Sequence, residues 1–180
     1  MSNVGKWDRW YFGLNDSEPY GDTESYRMGA NWLADCDDIE DWGCGKGWFK
    51  NFVGDEQTYI GVDGSRTPFA NVLADLVTYT SSTEGLFMRH VLEHNYDWMQ
   101  ILTNAVDSFT KRMVLVLFTP LEDMTREIAF ADDPGVPDLA LSKPALEHLI
   151  DCGGANVAWA GAFPSKTQYE WETIYLLEKR

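Results

Sequence analysis

The chain is short of basic residues: 14 Lys and Arg stand against 29 Asp and Glu, which gives a formal net charge of −15. Proteins that bind duplex DNA or structured RNA obtain much of their affinity from Lys and Arg side chains that neutralise phosphates. Anionic membrane surfaces attract proteins through the same basic residues. The charge balance therefore argues against a nucleic-acid partner and against a membrane-surface partner.

Cysteines and long apolar runs are also scarce. The three cysteines, Cys36, Cys44 and Cys152, form neither a Cys-x-x-Cys pair nor an even-numbered disulfide framework. No window approaches the roughly 18 consecutive apolar residues of a membrane-spanning helix, and the first residues lack the apolar core of a secretory signal. We therefore expect a cytoplasmic protein in which Cys36 and Cys152 are small buried hydrophobic residues.

The 180 residues do contain an alternation of strand-like and helix-like segments. Short runs rich in β-forming residues, one of them continuously apolar, predict strands over 37–42, 58–63, 71–76, 85–89, 112–118, 155–160 and 169–178. Apolar residues at helical spacing predict helices over 23–33, from a cap at Asn95 to Phe109, and from a cap at Ser142 to Ile150.

This order of elements predicts an α/β fold of the Rossmann-like, doubly wound kind, with a mostly parallel seven-stranded sheet and an antiparallel last strand. Only residues 64–70 separate the second strand from the third, so the usual helix there must shrink to a turn. No repeat or flexible linker interrupts the sequence, so we expect one domain over 1–180. Within it, residues 1–22 are expected to form an irregular aromatic arm, and residues 119–138 an irregular acidic insert on the substrate side.

A glycine-rich turn follows the first predicted strand, in the stretch Asp41-Trp-Gly-Cys-Gly-Lys-Gly47. In doubly wound sheets such a turn brings the backbone close to a ligand at the carboxyl ends of the strands. The second strand ends at Asp63, whose carboxylate can accept hydrogen bonds from both hydroxyls of a ribose. Together they predict a nucleoside-bearing cofactor. Trp48 stands where nicotinamide and flavin folds have their third glycine, which disfavours those cofactors.

With this Asp-x-Gly-Cys-Gly-x-Gly motif the chain resembles the class I S-adenosylmethionine-dependent methyltransferases, in particular the small-molecule enzymes of the methyltransferase domain 11 and ubiquinone-biosynthesis type. The resemblance runs from about Gly21 to the C-terminus. It includes Asp63, the Ala-Asp-Leu triplet at 74–76 and the segment Arg89-His-Val-Leu-Glu-His94.

The resemblance implies S-adenosylmethionine as cofactor and a role for each matching residue. It places Gly43, Cys44 and Gly45 beside the methionine portion, with Asp41 close by. It implies that Asp63 binds the ribose, that Gly64 lies beside the adenine, and that Asp75 and the Leu76 amide bind the adenine ring. It places Arg89 and His90 near the sulfonium, where we expect His90 to be the general base.

The same segment offers a rival interpretation, because His90-Val-Leu-Glu93-His94 fits the His-x-x-Glu-His signature of some zinc peptidases. That chemistry needs both histidines on one helical face and a third ligand. The segment lies in a predicted strand-to-helix loop, and no downstream glutamate stands out, so we expect no metal. Glu93 and His94 are then interpreted as a hydrogen-bonded loop or capping pair.

The chain lacks two motifs of nucleic-acid methyltransferases, the Asn/Asp-Pro-Pro-aromatic tetrapeptide and the Pro-Cys pair. Their absence argues against a nucleic-acid acceptor. We therefore expect methyl transfer to an oxygen or nitrogen of a small organic acceptor. Residues 1–41 and 119–138 are strongly acidic, which favours a neutral or cationic compound. Two alternatives remain, a non-catalytic S-adenosylmethionine-binding protein of the same fold and an RNA methyltransferase.

Overall fold

A computed structural model describes residues 3–13 and 19–180. Its helices are α1 (Asp8–Gly13), α2 (Glu24–Trp32), α3 (Trp98–Ser108) and α4 (Lys143–Cys152), with two short 3₁₀ helices at Trp48–Phe52 and Leu92–His94. Its strands are β1 (Asp38–Trp42), β2 (Thr58–Asp63), β3 (Val72–Leu73), β4 (Thr83–Arg89), β5 (Phe109–Leu117), β6 (Leu121–Glu122), β7 (Arg126–Ala131), β8 (Val136–Ser142), β9 (Ala155–Pro164) and β10 (Trp171–Lys179).

Seven strands form the main sheet, in the order β3-β2-β1-β4-β5-β10-β9. Strands β3 to β5 of this order pair in parallel, whereas β10 pairs antiparallel with both β5 and β9. The predicted α/β class, with a mostly parallel seven-stranded sheet and an antiparallel last strand, is confirmed. The strand order reverses between β1 and β4, and in doubly wound sheets ligands bind in the crevice at such a point.

The centre of the sheet is buried on both faces, as the apolar run of β5 predicted. Met113, Leu115 and Leu117 pack into one hydrophobic cluster with α3 and α4, and Val114 and Val116 pack into another with α2. All five side chains are fully buried. Alternation of this kind, apolar towards both faces, is typical of central strands in parallel sheets.

The connection from β1 to β2 and the connection from β2 to β3 both lack a full α-helix. The third strand is reduced to Val72–Leu73, and residues 64–70 contain no helix, as the close spacing predicted. After the turn the chain forms the 3₁₀ helix Trp48–Phe52.

Ser142 caps α4 as predicted, since its Oγ accepts a hydrogen bond of 3.3 Å from the Ala145 amide.

Several predictions of local structure and burial are wrong. Cys36 is buried as expected, but Cys152 lies at the exposed end of α4. Residues 119–138 are not irregular, because β8 pairs antiparallel with β7 and parallel with β6 in a second, three-stranded sheet. Nor does Asn95 cap α3, which begins at Trp98. The Asn95 side chain instead donates to the Val91 carbonyl and accepts from Asn3 at 2.8 Å. Across the described residues, no helix is both long and apolar enough to cross a membrane.

Candidate active site

A cavity of about 650 Å³ lies where β1, β2, β4 and β5 end. Its walls come from the glycine-rich turn, the strand ends, the N-terminal arm and the second sheet. Nine of the ten predicted site residues line it: Gly43, Cys44, Gly45, Asp63, Gly64, Asp75, Leu76, Arg89 and His90. The fold therefore gathers residues from four separate segments into one concave site.

Asp63 is joined to the glycine-rich turn through its carboxylate. The Gly45 amide donates to its Oδ2 at 2.9 Å, and the Ser65 amide donates to its Oδ1 at 2.8 Å. Burial raises the pKa of Asp63, and the two amide hydrogen bonds oppose that rise. Each oxygen retains a further lone pair. The carboxylate is thus held in one orientation with acceptor capacity on both oxygens.

Two glycine positions of the turn exclude side chains. Gly43 has φ of +76°, and a Cβ at this position would lie 2.3 Å from Cγ2 of Val91. Gly45 has φ of +50°, and a Cβ there would lie 3.3 Å from Oη of Tyr11. Left-handed backbone of this kind favours glycine. The cavity is consequently bordered by bare backbone, which a ligand can approach closely.

Asp41, the tenth predicted residue, lies under the turn and does not line the described cavity. Its Oδ2 accepts a hydrogen bond of 2.7 Å from Oη of Tyr59. Burial raises the pKa of Asp41 to about 7 against the Tyr59 hydrogen bond, and the negative charge of Asp63 acts in the same direction as burial. Asp41 therefore links β1 to β2 inside the protein, just before the turn.

Asp75 and Leu76 reach the cavity although β3 is so short. The Ala74 amide donates to the Asp63 carbonyl at 2.9 Å, which anchors this segment to the end of β2. Oδ1 of Asp75 accepts from the Val77 amide at 3.0 Å, and Leu76 is almost fully buried. The truncated crossover thus still delivers both residues beside Asp63.

The N-terminal arm covers one side of the cavity. Its described part contains the short helix α1, so it is not wholly irregular as predicted, and residues 1–2 and 14–18 of the predicted arm lie outside the described residues. The Gly5 amide donates to the Gly64 carbonyl at 3.0 Å, and the Trp7 amide donates to Oγ of Ser65 at 3.1 Å. Trp7, Trp10 and Tyr11 then line the cavity. Aromatic rings close over the strand ends in this way.

Arg89 is engaged by protein on all sides. Its Nη2 lies 2.5 Å from Oε1 of Glu172, and its guanidinium also donates hydrogen bonds to Ser25, Tyr26 and the Tyr20 carbonyl, at 2.7–3.0 Å. Burial would raise the pKa of Glu172, but the positive charge of the adjacent Arg89 guanidinium holds it below its ordinary value. The pair ties the ends of β4 and β10 to α2. A role of Arg89 beside the cofactor stays a prediction.

His90 follows Arg89 with φ of +58°, an uncommon left-handed conformation for a histidine. Its Nε2 lies 3.1 Å from Oε1 of Glu172, in a direction that does not form a hydrogen bond. Burial lowers the pKa of His90 to about 3, and the positive charge of Arg89 acts in the same direction. His90 is therefore a neutral imidazole in the cavity wall, and a weaker base than free imidazole.

His94 forms a pair that sequence reasoning missed. Its Nδ1 lies 3.0 Å from the Pro137 carbonyl oxygen and 3.2 Å from Oδ1 of Asp138, and Oη of Tyr169 donates to Oδ2 of Asp138 at 3.0 Å. Both His94 and Asp138 line the cavity. Asp138 interrupts the buried apolar strand β8, and that misplaced acid was the signal available in the sequence.

The His-x-x-Glu-His segment sends its side chains to different partners. His90 faces Glu172, His94 faces Asp138, and Oε1 of the fully buried Glu93 accepts from the Phe118 amide at 2.6 Å. Within residues 3–13 and 19–180, no group of three His, Cys, Asp or Glu side chains is placed to hold a metal ion. The spacing required for a zinc peptidase is present in the sequence, but its geometry is not formed here.

Solved methyltransferase structures share this fold. The N-methyltransferase NodS from Bradyrhizobium japonicum, solved with S-adenosylhomocysteine, has a TM-score of 0.69 over 98% of this chain and 98% of its own, at 10% identity. The magnesium protoporphyrin IX methyltransferase of Synechocystis, solved with S-adenosylmethionine, has a TM-score of 0.66 over 99% of this chain and 93% of its own, at 14% identity.

A third neighbour is the 1,6-didemethyltoxoflavin-N1-methyltransferase of Burkholderia thailandensis, with a TM-score of 0.69 over 86% of this chain and 76% of its own, at 12% identity. No family model matches the chain, and no curated protein has a significantly similar sequence. The likeness therefore establishes the fold: the chain has the Rossmann-like fold of S-adenosylmethionine-dependent methyltransferases.

Proposed function

We propose that the protein is an S-adenosylmethionine-dependent methyltransferase that acts on an oxygen or nitrogen atom of a small organic acceptor. The observation that carries this proposal is the junction of Asp63 with the glycine-rich turn, where the Gly45 and Ser65 amides hold its carboxylate at the cavity. A fixed carboxylate beside bare backbone suits the ribose and the methionine portion of one ligand.

The residues present fit this cofactor. Asp63 has a lone pair on each oxygen for the ribose hydroxyls, and Gly43 leaves space that a side chain would fill. Asp75 and Leu76 line the same cavity and would hold the adenine. When bound, the cofactor supplies a methyl group activated by a positively charged sulfur. The carboxylates and aromatic rings of the cavity stabilise such a cation.

The rest of the cavity fits a small acceptor. The whole cavity, with the proposed cofactor side included, has a volume of about 650 Å³, which lies in the range of roughly 300–1,000 Å³ that small-molecule pockets span. Trp7, Trp10 and Phe118 line it with aromatic rings, and Asp133 and Asp138 add negative charge. Flat rings exclude water and orient a planar compound, which is what a direct displacement requires of the protein. A neutral or cationic acceptor is favoured.

Binding of S-adenosylhomocysteine tests the cofactor assignment. We expect the ligand to raise the melting temperature of the wild type and of the control Asp55→Ala, whose side chain is exposed, but not of Asp63→Ala. Asp63→Asn serves as a second variant that keeps the shape of the side chain, and circular dichroism verifies that each variant folds. Absence of any shift at millimolar ligand would contradict the proposal.

An assay of methyl transfer distinguishes an enzyme from a protein that only binds the cofactor. The protein is incubated with S-adenosylmethionine and a panel of hydroxyaromatic, amine and RNA acceptors, and mass spectrometry detects the added methyl group. We expect a small compound to be methylated. Binding of S-adenosylhomocysteine without transfer to any acceptor favours the non-catalytic alternative, and transfer to RNA favours the RNA methyltransferase.

A further inference from the structure

A histidine–aspartate pair faces the cavity from elements that the cofactor motif does not use. His94 ends the 3₁₀ helix Leu92–His94, and Asp138 lies on β8 of the second sheet. Nδ1 of His94 is 3.0 Å from the Pro137 carbonyl oxygen and 3.2 Å from Oδ1 of Asp138. A backbone carbonyl and an ionised carboxylate only accept hydrogen bonds. In the neutral ring, Nδ1 therefore carries the proton and Nε2 carries the lone pair.

His94 lines the cavity, and its Nδ1 is turned towards Pro137 and Asp138. Nε2 of His94 takes part in none of the hydrogen bonds among the described residues, and the side chain is 16% exposed. Its ring packs between Phe118, at a centroid distance of 5.3 Å, and Trp7, at 5.2 Å. All three residues line the cavity. The lone pair is thus presented among the aromatic rings where a flat acceptor would lie.

The charged groups around His94 favour its protonated form. Burial alone would lower the pKa of His94, but the hydrogen bond to Asp138 and the negative charge of Glu93 raise it above its ordinary value. His90 faces the same region and is neutral, because burial lowers its pKa to about 3. Oη of Tyr169 holds Asp138 from the opposite side. His94 is consequently the stronger base of the two histidines in the cavity.

We infer that His94 is the general base of the proposed methyl transfer, and that Asp138 positions it. This inference rests on the proposed function and specifies its substrate class: a flat, hydroxyaromatic acceptor that must lose a proton. Nε2 takes that proton, and the electron pair so freed on the acceptor oxygen forms the bond to the methyl carbon. The carbon–sulfur bond breaks with its electron pair remaining on sulfur. The positive charge passes to the imidazolium of His94, which Asp138 stabilises until water takes the proton.

Histidine NMR tests the geometry without any acceptor. The protein has three histidines, so ¹⁵N-histidine labelling gives three ring systems, assigned with His94→Gln and His148→Gln. In the S-adenosylhomocysteine complex we expect the neutral form of His94 to carry its proton on Nδ1, and its pKa to lie above the ordinary value of histidine. Asp138→Asn is expected to lower that pKa and to leave His148, exposed on α4, unchanged. A neutral His94 with its proton on Nε2, or a His94 pKa indifferent to Asp138→Asn, would overturn the inference.

Turnover tests the chemistry with two matched acceptors, a phenol and a nitro-substituted analogue that is already ionised at the assay pH. For the phenol, whose pKa is about 10 as in tyrosine, His94→Gln is expected to lower kcat by about 100-fold or more. For the ionised analogue the loss should largely disappear, and His148→Gln should behave as wild type with both. A panel in which only tertiary amines or thioethers, which have no proton to lose, are methylated would refute the base.

The two proposals fail in different ways. If the wild type does not bind S-adenosylhomocysteine, the proposed function is wrong. If His94→Gln binds it with unchanged affinity in calorimetry and loses activity equally with both phenols, the methyltransferase assignment survives and the role of His94 as base does not. Unchanged binding together with a loss confined to the un-ionised phenol is the result that we expect.

Discussion

Arg89 and Glu172 join the carboxyl end of β4 to the antiparallel strand β10 through an ion pair of 2.5 Å. Their side chains are 7% and 0% exposed. Since β10 runs against its neighbours, its first residues lie at the same edge of the sheet as the ends of β4 and β5. The pair therefore fixes the position of Arg89, which lines the cavity, through a strand far from the glycine-rich turn in the sequence.

Removal of the negative partner should destabilise the fold. Glu172→Gln leaves the Arg89 guanidinium buried without its counter-charge, and breaking a buried pair costs about 3–5 kcal/mol. We expect the free energy of unfolding in urea to fall by about 3 kcal/mol. Glu178→Gln, an exposed position on the same strand, is the control and should change it by less than about 0.5 kcal/mol. Equal effects of the two changes would contradict this account of the pair.

Asp41 should make the stability depend on pH. Its folded-state pKa of about 7 lies above the ordinary 3.8, so the folded state holds its proton more tightly than the unfolded state does. The stabilisation from this proton is fully present below the unfolded value and is lost as pH rises through about 7. The free energy of unfolding of Asp41→Asn, relative to that of the wild type, should therefore increase by on the order of 1–3 kcal/mol between about pH 5 and about pH 8.

Urea unfolding at the two pH values measures that difference, and Tyr59→Phe provides a second comparison. The Tyr59 hydroxyl donates to the Asp41 carboxylate and holds its pKa down. Its loss should raise the pKa of Asp41 further and shift the fall in stability towards higher pH. A wild-type profile identical to that of Asp41→Asn would show that Asp41 does not titrate in this range.

Alanine at Gly43 should disrupt the turn by two separable effects. Its φ of +76° strains any side chain, and the new Cβ would lie 2.3 Å from Cγ2 of Val91. Gly154 has a similar φ of +73° with nothing within 4 Å of an added Cβ, so Gly154→Ala reports the strain alone. We expect a cost of about 1 kcal/mol for Gly154→Ala and about 2–4 kcal/mol for Gly43→Ala, from chemical denaturation.

The double change Gly43→Ala/Val91→Ala removes the clash but keeps the strain. It should recover part of the loss in stability relative to Gly43→Ala. Binding of S-adenosylhomocysteine should remain weakened in both variants, because the backbone at this position would border the methionine portion. Full binding by Gly43→Ala would contradict the close approach that we propose.

The aromatic arm should affect acceptor turnover more than cofactor binding. Trp7→Ala removes a ring that lines the cavity and packs on His94 at 5.2 Å, while the carboxylate of Asp63 keeps its amide partners. We expect affinity for S-adenosylhomocysteine in calorimetry to fall by no more than about tenfold and kcat to fall further, since water enters the acceptor side. Phe12→Ala, at a ring 66% exposed and outside the cavity, is the control.

The sequence predicted those parts of the molecule that depend on local pattern. The apolar run of β5, the cap at Ser142 and the glycine-rich turn before Asp63 each follow from neighbouring residues, and together they predicted the topology and the place of the cavity. The failures involve partners far apart in the chain. Asn95 has the composition of a helix cap, but Asn3, 92 positions away, engages its side chain instead.

The histidine–aspartate pair escaped prediction for the same reason. His94 and Asp138 meet because the acidic insert folds into strands and lays β8 beside the 3₁₀ helix Leu92–His94. Many exposed acids in this segment obscured its strand periodicity, and the burial of Asp138 became visible only in three dimensions. Long-range pairing of this kind leaves no regular spacing in the sequence.

The two members of that pair sit in different parts of the fold: the segment after β4 supplies the histidine, and the small sheet supplies the carboxylate. The small sheet also contributes Ala131 and Val136 to the wall of the cavity. In the proposed enzyme, one exchangeable module would thus tune both the shape of the compound admitted and the strength of the base that deprotonates it. Replacing the insert between β5 and α4 with another would change selectivity and the pH optimum together. The residues proposed to bind the nucleoside lie outside the insert and would stay the same.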